Sequence, residues 1–90
     1  SGGAPNKVKL SLKQGMNIVS IPGIASGYSA FNFLETVGEG QINSISRLNQ
    51  ALMRTENADW VEGEVDGEDF SIKHGEGYIV YMKQDTEVTY

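Results

Sequence analysis

Seven acidic side chains crowd one stretch of this chain: Glu56, Asp59, Glu62, Glu64, Asp66, Glu68 and Asp69. Carboxylate oxygens of this kind are what calcium prefers, and Asp59, Asp66 and Asp69 are the candidate ligands. The segment Asp66-Gly-Glu-Asp69 lacks the alternating Asp/Asn ligands and the distal Glu of a helix-loop-helix calcium loop. The spacing therefore reads first as a solvated turn, with weak calcium binding as the alternative. No other cofactor is expected.

The sole histidine, His74, stands in a Lys73-His-Gly75 turn. A hydrolytic triad needs an imidazole held between a nucleophile and a buried carboxylate, and a turn does not supply that. The chain has no cysteine, which excludes a thiol nucleophile, a disulfide and a thiolate zinc site. No spacing supports the paired carboxylates of a glycoside hydrolase. Gly75-Glu-Gly77 lacks the third glycine, the preceding strand and the following helix of a dinucleotide fingerprint, so it too reads as a turn. A non-enzymatic protein is expected.

Aromatic rings are the remaining opening. Trp60, Tyr78 and Tyr81, with Tyr28 and Tyr90, could offer flat faces on which a sugar ring or peptide stacks. Core packing is the competing role for each. Trp60, which follows an acidic loop by pattern, is the first choice for a partly exposed ring, and one of Tyr78 and Tyr81 should border solvent because alternation sends them to opposite faces.

Positioning these groups falls to extended segments. Leu10-Ser-Leu-Lys-Gln-Gly-Met-Asn-Ile-Val-Ser-Ile21 and Phe70-Ser-Ile-Lys-His-Gly-Glu-Gly-Tyr-Ile-Val-Tyr81 are near-copies, each alternating into a polar turn with Gly15 or Gly75 and then entering a second apolar run. Both are expected to be hairpins, set side by side or related by a pseudo-twofold axis. Met16, Ile18, Val19 and Ile21 are dense enough to suggest a central strand buried on both faces and stopped at Pro22-Gly23. Ser29 is a good N-cap for a short helix near 29–37, with Ala30, Phe33, Leu34 and Val37 on its apolar stripe. So short a helix must bury that stripe, and Phe33→Asp should unfold the domain. A strand is expected from Ser44 to Leu48, a loop at 55–59, a strand starting at Trp60 and Val61, a turn at Asp66-Gly67, and a closing strand at 88–90.

Ninety residues suit one domain with one modest core. The fold class expected is mainly β (α+β): a small antiparallel sandwich or barrel of about six strands with one short helix. Residues 1–6, rich in Gly and Pro, read as an interdomain linker or cloning remnant ahead of a single module at 7–90. A net charge of −5 repels phosphate backbones and anionic lipid, so nucleic acid is not an expected partner. No apolar run approaches the ~20 residues that cross a bilayer, so membrane insertion is not expected either.

Two motifs carry a resemblance. Gly15-Met-Asn-Ile-Val-Ser-Ile-Pro22 and Gly75-Glu-Gly-Tyr-Ile-Val-Tyr81, with Arg47 and Trp60 between them, resemble the β-rich accessory or C-terminal modules of secreted and cell-surface bacterial and archaeal proteins. Met16 stands where that pattern usually has Trp. The resemblance implies a non-catalytic accessory module of a larger secreted or surface protein; a protein or glycan partner is what the aromatic residues suggest.

Overall fold

The computed structural model describes residues 9–21, 28–73 and 75–89. The expected linker, the Pro22-Gly23 stop, His74 and Tyr90 lie outside them. Seven strands and one helix follow in the order β1 (Lys9–Leu12), β2 (Gly15–Ser20), α1 (Ala30–Val37), β3 (Ile42–Asn49), β4 (Arg54–Val61), β5 (Glu64–Gly67), β6 (Gly77–Met82) and β7 (Thr86–Thr89). Strands β1 and β7 make a two-stranded antiparallel sheet, and the other five make a second one in the order β2-β6-β3-β4-β5. The mainly β, sandwich-like architecture is as expected, with one strand more than the pattern suggested. Among the described residues no helix is long and apolar enough to cross a membrane.

The core lies between the layers. Leu12 and Val88 reach it from the small sheet, Ile42, Ile45, Ala58, Tyr78, Val80 and Met82 from the large one, and Phe33 and Leu34 from the helix. Each large apolar side chain fully removed from water contributes roughly 1.5–3 kcal/mol, which is why the two-residue period of β6 is obeyed so strictly. Helix α1 packs on β3, β4 and β5. It starts where the sequence places it: Ser29 Oγ accepts from Asn32 N at 3.4 Å, and Asn32 Oδ1 accepts from Ser29 N at 3.1 Å. Gly38, at φ +100°, ends it while its N–H donates to the Leu34 carbonyl.

The near-copies lie side by side, because β2 and β6 pair antiparallel through six rungs from Gly15↔Met82 to Ser20↔Gly77. Neither copy is a hairpin. Strand β1 turns away from β2 to pair with β7, which follows β6. Ser71, just before β6, forms a bridge with Ser29, which follows β2. Each first arm thus pairs beyond the other copy's second arm.

Three further expectations are corrected. Strand β2 is the edge of its sheet, not its centre, and Met16 and Ile18 face solvent. Residues 55–59 belong to β4 rather than to a loop, and Trp60 stands near the end of that strand instead of its start. Asp66 and Gly67 lie inside β5, while the turn falls at Glu62 and Gly63, both at positive φ. Gly67 is needed for close approach: a Cβ there would overlap the Asn57 carbonyl oxygen of the neighbouring strand.

Candidate functional site

Alternation along β2 sends Asn17 and Val19 toward the core and Met16 and Ile18 outward; along β6 it sends Tyr78 and Val80 inward and Ile79 and Tyr81 outward. The register then composes the outer face of the large sheet. One row reads Met16, Tyr81, Ser44, Asp59, Asp66 across the five strands. The next reads Ile18, Ile79, Ser46, Asn57 across four. The face grades from apolar at β2 and β6, through hydroxyls at β3, to carboxylates at β4 and β5.

Its apolar half is open to water. Ile18 is 73% exposed, Met16 59%, Tyr81 42%, and Leu48, further along β3 on the same face, 63%. Tyr81 stays upright because its hydroxyl donates to Met16 Sδ across the strand pair at 3.6 Å. Leu52 and Met53 extend the exposed apolar surface at the β3–β4 turn, where Met53 adopts φ +53° and Asn49 Oδ1 accepts from Leu52 N. Water-facing apolar groups on this scale, gathered on one side of a small protein, mark contact surfaces. The composition signal for this face was present in the outward positions of β2, but the dense run of which they are part pointed to burial.

The aromatic candidates do not share a face. Tyr78 is fully buried, its hydroxyl accepting from Lys73 N at 2.7 Å and donating to Glu76 Oε1 at 2.8 Å. Burial pushes its pKa up, with Glu76 adding to the rise. Trp60 is half-buried on the inner face and its indole N–H donates to the Leu34 carbonyl at 3.2 Å, tying β4 to the helix. Only Tyr81 of the three stands on the outer face.

The acidic candidates also divide. Asp59 and Asp66 are direct cross-strand neighbours on the outer face, a like-charge pair that weakens the ladder locally. Asp69 is elsewhere, its Oδ1 accepting from Phe31 N at 2.8 Å in the first turn of α1, where negative charge is favourable. Among the described residues no three acidic or imidazole side chains gather closely enough to hold a metal ion.

A cleft of about 510 Å³ lies at the far end of the sheet, lined by Arg47, Asn49, Lys73 and Glu76 among others. Arg47 is committed there to the fold. Its Nε donates to Glu56 at 2.8 Å, its Nη1 lies 3.4 Å from Glu76, and its guanidinium rests 5.3 Å above the Phe70 ring, which stacks on Tyr78. Burial works to lower the Arg47 pKa, but the two carboxylates outweigh it and hold the group charged. Arg47 in turn pulls the Glu56 pKa below the ordinary value of 4.5. Sequence reasoning placed Arg47 on a strand without identifying this network, whose partners come from three separate segments.

Comparison of the chain with protein-family models, with curated proteins and with solved structures finds no match.

Proposed function

We propose that this chain is a non-catalytic interaction module of a larger secreted or surface-associated protein, and that it docks a protein partner on the outer face of its large sheet. The observation that carries this reading is the coplanar set Met16, Ile18, Leu48 and Tyr81, exposed together on one side of the sheet. Asp59 and Asp66 on the same face define the partner's chemistry: apolar side chains flanked by Lys or Arg. The motif resemblance supports the setting in a surface protein. A glycan platform built from Trp60, Tyr78 and Tyr81 together is disfavoured, because the rings point to opposite faces of the sheet.

A displayed random-peptide library panned against the domain tests the reading. Enriched peptides should combine alternating apolar residues with Lys or Arg, and Tyr81→Glu or Asp66→Lys should each weaken their binding about tenfold or more. Peptides that bind both variants as well as the native protein, or no enrichment at all, would overturn it.

A further inference from the structure

The two edges of the large sheet are built differently, and the difference names an occupant for one of them. Strand β5 has only four residues, carries Glu64 and Asp66, and ends in a positive-φ glycine, which are the devices that keep an edge from pairing. Strand β2 has six residues, Gly-Met-Asn-Ile-Val-Ser, with no charge, no proline and no bulge, and among the described residues nothing pairs with its outer side. Its N–H and C=O groups on that side are a template for another strand.

We infer that a second copy of this chain adds there, β2 against β2 in antiparallel fashion, to make a continuous ten-stranded sheet. The charge distribution permits a second copy. The chain carries −5 overall, yet the acidic residues of β4, β5 and the segment after them lie at the far edge of the sheet. With strands about 4.8 Å apart, joining two copies at β2 places their β5 edges nine spacings, roughly 43 Å, from each other. That is several times the screening length of about 8 Å at physiological salt, so the acidic edges do not oppose assembly. At the seam the neutral strands meet without like charges. A register that sets Met16 opposite Ile18 of the second copy covers the most exposed side chains of the strand, and it merges the two apolar half-faces into one central strip.

This reading is independent of the docking proposal, since it is measured with no partner present. Sedimentation velocity of the native chain from about 10 µM to about 1 mM should move from monomer toward twice the 9.8 kDa chain mass, the weak association expected of a small interface. Ile18→Lys should weaken that association at least tenfold while leaving the circular dichroism spectrum and thermal midpoint unchanged, because Ile18 takes no part in the core. Amide exchange at 15–20 should slow with rising concentration, and exchange at 64–67 should not. A monomer at 1 mM overturns the inference. So does a dimer that Ile18→Lys leaves intact, or one that protects 64–67 in place of 15–20.

Discussion

Strands β2 and β6 come from the second arms of the two near-copies and pair with each other, yet they live in different environments. Strand β6 has neighbours on both sides and buries Tyr78, Val80 and Met82; β2, among the described residues, has a neighbour on one side only and buries none of its six residues fully. The same structural problem, holding the backbone of the equivalent Lys13 and Lys73, is also solved twice. Asn17 does it locally, its Oδ1 accepting from Lys13 N at 2.9 Å and its amide donating to the Lys13 carbonyl at 2.7 Å. Tyr78 does it from the core, with a hydroxyl that reaches Lys73 N at the end of a buried ring. Sequence similarity between the copies therefore preserves the course of the backbone, while position in the sheet decides whether a residue carries stability or surface.

The largest break in this comparison should come from Tyr78→Ala. Removing a buried ring typically costs about 3–5 kcal/mol, a large share of the roughly 5–15 kcal/mol a small domain has, and here it also leaves Lys73 N unpartnered. Urea unfolding should show the midpoint collapsing; a loss below about 1 kcal/mol would mean that β6 is not the anchoring copy. Asn17→Ala should cost less, about 1–2 kcal/mol, because it frees backbone groups near the surface instead of emptying core volume. A loss equal to that of Tyr78→Ala would erase the distinction between a local brace and a core brace.

Acid titration sharpens the contrast at the Tyr78 end of the sheet, where Arg47 and Glu56 sit. The Glu56 pKa is lowered in the folded state, so the pairing stabilises the protein above the ordinary carboxylate value of 4.5 and is lost as pH falls through the lowered value. Glu56→Gln should flatten the stability profile in that acid window and leave its shape near neutrality unchanged; an unaltered acid limb would remove Glu56 from the account. The smallest effect is expected for Ile18→Ala, within about 0.5 kcal/mol for so exposed a side chain. A loss of core magnitude there would show that β2 is covered within a single copy.

Legibility followed the physics of each element. The helix could be read in full, since a Ser N-cap, an i, i+3, i+4, i+7 stripe and a terminal glycine are all local signals. Strand periods in β1 and β6 were visible for the same reason, while β3 emerged only as a strand at 44–48 within an ambiguous run. Pairing was not, because a turn glycine between two extended runs is shared by a hairpin and by a crossing between sheets. Strand β4 looked like a loop because its inward position 56 is a glutamate, which breaks the apolar period and is held by Arg47 and Asn49 on the neighbouring strand. Gly67 resembled a turn residue because the close approach of Asn57 that requires it comes from a different strand. Of the candidate site, Tyr81 at the apolar half and Asp59 and Asp66 at the acidic half were singled out from sequence. Met16, Ile18 and Leu48 were not, since exposure on one sheet face depends on which strand has no neighbour.

The pairing of Lys9 with Thr89 has a mechanical consequence. These two residues sit at the same end of a four-rung antiparallel ladder, so tension applied through them acts across the hydrogen bonds and opens one rung at a time, like a zipper, with no cooperative shear of all four together. A protein strung through this unit in that way would yield first at β1 and β7, and the five-stranded sheet would be the last part to feel the load.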